Sequence, residues 1–501
     1  MAAQARRSFR ESTLSRSLIV PTVLGICAFI AGRTQVGPWT FDFAEELLLI
    51  LIGFFLLLQA PSRMSSLMAA ERNSGILEFH QATPTTGWTD ALGYLVGGTV
   101  RHYSRALVLV FFFLVASVAN QFNLLDALGA MLILCSTGLL YQLLAMLLGL
   151  IGGKRGFFVT LSTAIPILLL LFGRALVKMD ITILAHLTPY PALIDLAMIN
   201  PEQASGQSAY SSYLFGISVS PFLYTCVYQL FISFFLFLAV ARKLRRTEAT
   251  VFSKPGALFF YLILSILLMS DLYAPQLAMG RIAIFVYIQT TIILGILMTT
   301  FICPNFLQFL RRERRIVKNN LSRYSPFDDN ARVWFTTSAF GVIWAFLFYL
   351  ANERFTALGI QQAVTSGESL LLILQVFGLF AFTAAVCEYA HFASGKSVLA
   401  SLGLVILVFV IVPWFFFAFG QINQSIKPLS YLGVISPTYG TIFASMYYVW
   451  PFEKPPITNG TEHISHALTL ILTALFLGRT RKRLDATTRS TRFPQDGRPA
   501  R

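Results

Sequence analysis

Continuous apolar runs of membrane-crossing length recur along almost the whole of this chain, at roughly 17–33, 44–60, 104–119, 126–151, 157–177 and 220–241. They continue at roughly 256–272, 283–303, 333–351, 369–390, 398–419 and 464–478. A hydrocarbon core about 30 Å thick is crossed by about 20 apolar residues of α-helix. With no water there to satisfy backbone N–H and C=O groups, a spanning segment is either a helix or a strand of a closed barrel. The runs are unbroken instead of alternating in polarity, which selects helices. The expected fold class is therefore an all-α polytopic membrane protein of about twelve transmembrane helices. Composition agrees, since 56% of the residues are hydrophobic and only 12% charged, a balance that excludes a water-soluble globular fold. Pro21 is expected to interrupt the first run.

A net charge of +15 on a soluble chain would point to nucleic acid. Here the cations sit in short gaps between apolar runs and act as topology signals. Clusters fall in the even-numbered gaps: Arg63, Arg72, Arg101 and Arg105; Lys154 and Arg155; Arg242, Lys243, Arg245 and Arg246; Arg311, Arg312, Arg314, Arg315 and Lys318; Lys396. Both ends are basic too, and the odd gaps hold only scattered cations such as Arg33 and Lys178. The positive-inside rule then makes the clustered gaps and both termini cytoplasmic. Residues 3–14 form either a basic surface helix or a basic tail. The long outer gaps at about 178–219 and 420–463 either dip into the outer leaflet or form exposed loops.

The two halves share landmarks. Glu71-Arg72 and Pro84 recur as Glu313-Arg314 and Pro326, a constant offset of 242 (313 less 71, 326 less 84), and Thr83 is answered by Ser325. The same offset carries Gly153-Lys154 onto Gly395-Lys396. Further on, the LTPYPALI beginning at Leu187 is echoed by the ISPTYGTI beginning at Ile435. The order of gap types repeats as well. The expected organisation is a six-helix unit over 1–246 with a polar segment near 63–100, and a second unit over 247–483 with a degenerate copy near 304–332. A basic cytoplasmic tail follows over 484–501. Six crossings return the chain to its starting side, so the repeats are parallel, related by an axis along the membrane normal.

The passage from Ala70 to Thr86, AERNSGILEFHQATPTT, carries the most information. Its Glu71, Arg72, Gly75, Leu77 and Glu78, followed by Thr83-Pro84 between the second and third runs, resemble the cytosolic coupling segment of type-2 ABC exporter permeases. The likeness extends to six helices per unit, an N-terminal surface helix, a small fourth-to-fifth loop and a long outer segment before the sixth helix. It implies a fused two-unit permease, similar to those of lipophilic-antibiotic efflux, driven by two copies of a separate ATP-binding subunit. Those partners would hold ATP and Mg, with no cofactor in this chain. By the same resemblance Lys154, Arg155 and Lys396 are minor cytosolic contacts. Glu71, Arg72 and Glu78 are expected to offer charge to the partner, and Ile76, Leu77 and Phe79 apolar anchors; the bland alternative is a solvated loop whose charges pair internally. In the second unit, Glu313, Arg314, Ser325 and Pro326 remain, but the glycine and the Leu-Glu pair are absent, so two unequal docking sites are expected.

Other chemistries are poorly represented. Ser394-Gly395-Lys396-Ser397 contains the GKS of a P-loop, but position 390 is Ala390 and no strand precedes it, so no nucleotide site of its own is expected. His463 and His466 lack a third zinc ligand, and the five cysteines show no CxxC spacing. Polar residues inside the runs are few: Tyr141 and Gln142, Gln289 beside Thr290 and Thr291, and Glu388. Each is a pathway candidate because its burial is costly, and each is also explained by a helix-to-helix hydrogen bond. The cargo implied is a small lipophilic or amphipathic molecule, exported across a plasma membrane, with the bacterial cytoplasmic membrane the expected one. A secondary carrier of the major facilitator type, or an ABC permease for a lipid or polymer, are the competing readings. No Gly-x-x-x-Asp-Arg loop follows the second run, and no long central loop separates the halves.

Overall fold

The computed structural model describes residues 11–34, 41–78, 85–121, 123–152, 156–178, 182–196, 212–270, 280–304, 308–312, 315, 328–329, 331–357, 366–393 and 461–491. They are mostly α-helical. Internal contacts divide the chain into two units, Met1–Thr247 and Glu248–Arg501. Among the described residues six helices are long and apolar enough to cross a membrane: Glu45–Asn73, Val100–Ala119, Leu124–Gly152, Pro221–Arg245, Trp334–Ala351 and Leu372–Ala390. Shorter apolar helical stretches occupy Leu18–Ala28, Thr160–Gly173, Lys254–Ser270 and Tyr287–Phe301. Helices of this kind mark a membrane-embedded chain. The expected run at 398–419 lies outside the described residues, as does the outer gap from 420 to 460.

The first unit opens with α1 (Glu11–Thr34), which runs through Pro21 without a break. The expected interruption does not occur. Prolines are tolerated inside membrane helices because neighbouring groups re-satisfy the backbone they free. Next come α2 (Phe41–Gly53), one π-helical turn (Phe54–Gln59) and α3 (Ala60–Asn73). Gly53 and Gln59 both keep helical dihedrals, so the rod continues from α2 into α3. Its 29 residues from Glu45 to Asn73 measure roughly 43 Å at 1.5 Å per residue, well beyond a hydrocarbon core. The rod therefore extends past the apolar run that ended near residue 60. Met64, Met68 and Ala69 account for this, being buried on a face that packs against α6.

Helices α4 (Gly87–Gly97), α5 (Val100–Ala119), α6 (Leu124–Gly152) and α7 (Gly156–Lys178) follow. The segment after α7 contains the short α8 (Thr182–Ala185) and α9 (Tyr190–Asp195) and an antiparallel hairpin, β1 (Ser212–Leu214) with β2 (Ile217–Val219). Helix α10 (Pro221–Arg245) closes the unit. Helix α6 is its core: most of its side chains are buried, with α3 and α10 packed along it. The contact between α6 and α3 requires a glycine. A Cβ added at Gly149 would lie 2.5 Å from the Ser65 carbonyl oxygen.

The second unit contains α11 (Lys254–Ser270), α12 (Gly280–Phe301), α13 (Trp334–Ala357), α14 (Ser366–Ala393) and α15 (Thr461–Thr491). Helix α14 packs on α12, α13 and α15. Trp344, stacked on Phe348 with centroids 5.0 Å apart, donates its indole N–H to Thr291 Oγ1 at 2.9 Å and so joins α13 to α12. Thr291 was read from sequence as a polar residue in a span; it is bonded between helices.

The Gly149 contact yields a paired expectation. Gly149→Ala should lower the thermal midpoint of the detergent-solubilised protein, with overpacking costing about 1–3 kcal/mol. Gly97→Ala, where an added Cβ meets nothing within 4 Å, should leave the midpoint unchanged or slightly raised. Equal effects would refute the close approach of α3 to α6.

Candidate functional site

The polar passage between α3 and α4 emerges at the projecting end of the long rod. Helix α3 stops at Asn73 because Gly75 takes a left-handed backbone, φ +75°, which only glycine adopts without strain. Ser74 N–H bonds back to the Ala70 carbonyl at 3.0 Å. The chain then makes a further turn over Ile76–Glu78, with Glu78 N–H donating to Gly75 O at 3.0 Å. Leu77 is buried, anchoring this turn, while Ile76 and Glu78 are exposed. Thr83 and Pro84, with Phe79, lie outside the described residues. The chain re-enters at Thr86, whose hydroxyl accepts the Thr89 N–H at 3.3 Å and caps α4.

Glu71 and Arg72, read from sequence as charges for a partner, are used differently. The Glu71 side chain is buried and accepts a hydrogen bond from the Tyr94 hydroxyl of α4. This bond ties the departing and returning ends of the passage together. The Arg72 guanidinium donates to the Leu150 carbonyl and, at 2.8 Å, to the Ile151 carbonyl, at the C-terminal end of α6. Those carbonyls belong to the last turn of a helix, where no intrahelical donor remains. The two ionisable groups therefore hold the segment, and Ile76 and Glu78 are among the side chains it displays.

In the second unit other contacts hold the described residues 308–312, 328, 329 and 331–333. Arg312 Nε donates to Asp328 Oδ2 at 2.7 Å, and Arg311 pairs with Glu248 at 3.0 Å. Lys254, fully buried at the start of α11, donates from Nζ to the carbonyls of Ala331 at 2.8 Å and Arg332 at 3.0 Å. Glu388 on α14 is also fully buried. Its Oε1 accepts the Val333 N–H at 3.3 Å beside the start of α13, and its Oε2 has no hydrogen-bond partner among the described residues. Lys254 and Glu388 thus grip residues 331–333 from two helices. Sequence reading missed Lys254; its only signal was a lone lysine before Pro255 at the mouth of an apolar run. Glu313, Arg314, Ser325, Pro326, Lys154, Arg155 and Lys396 lie outside the described residues.

The remaining pathway candidates are part of the packing. Tyr141 is buried and donates to the Leu187 carbonyl at 3.0 Å. Gln142 Oε1 accepts from the Tyr103 hydroxyl at 2.6 Å, and its Nε2 is buried without a partner among the described residues. Gln289 is half-buried. Sequence reading also missed Gln229, the hub of a larger network. Its Oε1 accepts from Ser136 at 2.5 Å and Thr137 at 3.0 Å, and its Nε2 donates to the His186 carbonyl at 3.1 Å. His186, between α8 and α9, is fully buried; its ring nitrogens meet Thr225 Oγ1 at 2.6 Å and Ser212 Oγ at 3.0 Å. The described part of the segment between α7 and α10 is thereby latched onto α6 and α10.

No protein-family model, curated protein or solved structure matches the chain.

The latch carries a pH signature. Burial pushes the His186 ring from its ordinary 6.5 down to about 3, so it stays neutral when folded. Between those values the unfolded segment binds a proton that the folded one rejects, and stability falls as pH drops below about 6.5. Amide exchange over 182–196 should accelerate from pH 7 to pH 5 beyond the intrinsic rate change. His186→Gln should remove that excess. A pH-independent excess in the unmodified protein would contradict the latch.

Proposed function

We propose that the chain is the membrane-spanning permease of an ABC exporter, with two parallel six-helix units fused in one chain and both termini cytoplasmic. The single observation that carries the reading is the polar segment on the projecting end of the Glu45–Asn73 rod. Its ends are fastened by Glu71–Tyr94 and by Arg72 on α6, with Ile76 and Glu78 left exposed at the tip. A segment fastened in this way transmits force. A push on Ile76 and Glu78 reaches the rod through the Gly75 turn, α6 through Arg72, and α4 through Tyr94. A free loop would absorb it.

The energy source is ATP held with Mg by two copies of a separate ATP-binding subunit. This chain's part is mechanical: it receives the partner's motion at the segment and passes it to helices that cross the bacterial cytoplasmic membrane. The cargo is an apolar or amphipathic small molecule, in keeping with 46 phenylalanines and few polar side chains in the apolar runs. The region of the second unit near 304–332 is a weaker docking site, because the glycine and Leu-Glu pair of the first segment have no counterpart there.

Ile76→Asp with Glu78→Lys should leave a folded, membrane-inserted protein of unchanged thermal midpoint while abolishing export and recovery of the ATP-binding subunit on purification. Tyr94→Phe should instead lower the midpoint, because a buried carboxylate loses one hydrogen-bond donor, at a cost of about 1–3 kcal/mol. Full export by the double variant would sink the coupling role.

A further inference from the structure

Helix α4, the returning limb of the polar segment, is apolar on both of its sides. One side packs on the protein: Ala91, Tyr94 and Leu95 are buried, and a Cβ added at Gly87 would collide with the Ala241 carbonyl oxygen of α10. The other side carries Trp88, Leu92 and Val96, whose four-residue spacing sets them on one face of the helix. They are 49%, 44% and 58% exposed. Asp90 is the one charged residue of α4, and its carboxylate accepts the Thr85 hydroxyl at 3.1 Å, at the N-terminal end. A helix that is apolar all round is stable where it is covered all round, by protein or by hydrocarbon. Half of α4 is covered by protein, and the stripe is the other half.

The contacts at its two ends fix the level at which α4 lies. The Trp88 ring meets Phe237 of α10 edge-on, with centroids 5.1 Å apart. Phe237 precedes Arg242, the first cation after the apolar run of α10, by five residues, or about 7.5 Å on the hydrocarbon side at 1.5 Å per residue. At the other end Gly98 sits against α3, where an added Cβ would lie 3.0 Å from Leu67 Cδ2 and 3.2 Å from Met64 Cε. Met64 follows Arg63, the first cation after the run at 44–60. Both ends therefore lie where a spanning helix passes from apolar to basic sequence, which is the cytoplasmic membrane–water boundary, and tryptophan is enriched at that depth. Only Gly98 and Thr99 separate α4 from the spanning α5, so the stripe runs from Trp88 toward the membrane. A soluble partner seated on Ile76 and Glu78 would meet the exposed, polar Thr85 and Thr86 before it reached Leu92 and Val96.

We propose that α4 is an interfacial helix, with the face formed by Trp88, Leu92 and Val96 seated in the lipid surface of the cytoplasmic leaflet. The bilayer then anchors the returning limb of the segment while its tip stands clear in the cytosol. The proposal rests on membrane embedding and on the cytoplasmic side of the segment, and not on the exporter reading.

The test places a single spin label on Leu92→Cys, Val96→Cys or Glu78→Cys in the full chain without its five native cysteines, reconstituted in vesicles of phosphatidylcholine and phosphatidylglycerol. An unchanged thermal midpoint establishes that each variant is folded. Relaxation of the label by oxygen, which partitions into hydrocarbon, is compared with relaxation by a water-soluble nickel chelate. The labels at 92 and 96 should be relaxed more by oxygen, at a depth of about 5–10 Å into the headgroup–acyl boundary, and the label at 78 more by nickel. A preference for nickel at 92 and 96 matching that at 78 would put α4 in the cytosol and overturn the proposal. Protection of both positions from both reagents would show the face covered by protein and overturn it equally. Export is not read in this experiment, so a failure of the exporter reading leaves its outcome unchanged.

Discussion

The absence of water inside the hydrocarbon governs this structure: each polar group placed there has to find its partner within the protein. The backbone meets that demand by forming helices. The side chains meet it through a few dense nodes. Gln229 takes two hydroxyl donors from α6 and gives its amide to the segment between α7 and α10. Arg72 serves the last carbonyls of α6, and Lys254 serves two carbonyls just before α13. In each case a residue that looks functional on an apolar background completes the hydrogen bonding of a chain end or a turn. Such nodes hold polypeptide that is not itself a spanning helix against the helices that are.

The two units reach the same end by different means. In the first, a buried carboxylate and an arginine from the end of α3 fasten the polar segment to α4 and α6. In the second, a buried lysine from α11 and a buried glutamate from α14 grip the return strand at 331–333, while Arg312 and Asp328 form an ion pair that is partly exposed. An exposed ion pair contributes little, whereas removing a buried charged group leaves the backbone groups it served without a partner, so Lys254 and Glu388 are the contacts whose loss should cost most here.

Much of the helical layout was legible in the sequence, because the same physics that forbids open backbone in a membrane also writes long apolar runs. The helices over 100–119, 124–152 and 221–245 lie within a few residues of the runs at 104–119, 126–151 and 220–241. The end of the rod was less legible. Residues 61–73 carry arginines and serines and read as a gap, yet Met64 and Met68 are buried against α6, and this packing outweighs the polar composition. Glu71 and Arg72 were singled out as charges for a partner, but their direction depends on Tyr94 and on the end of α6. These lie 23 and 78 residues away or more in the chain, and no local pattern announces them. Gln229 and His186 were hidden for the same reason, since a lone glutamine in an apolar run does not reveal which loop it will hold.

The central claim is that the segment tip and the outer hairpin lie on opposite faces of the membrane, the tip cytoplasmic and held ready for a partner. Between Glu78 and Phe215, both exposed, α5 and α6 are long and apolar enough to cross a membrane and α7 carries a shorter apolar stretch, which this claim takes as the third crossing. Single cysteines at these positions, in a background lacking the five native ones, can be labelled with a membrane-impermeant maleimide in sealed right-side-out and inverted vesicles. Labelling of Glu78→Cys only in inverted vesicles and of Phe215→Cys only in right-side-out vesicles is the predicted result. Labelling of both from the same side would contradict the account.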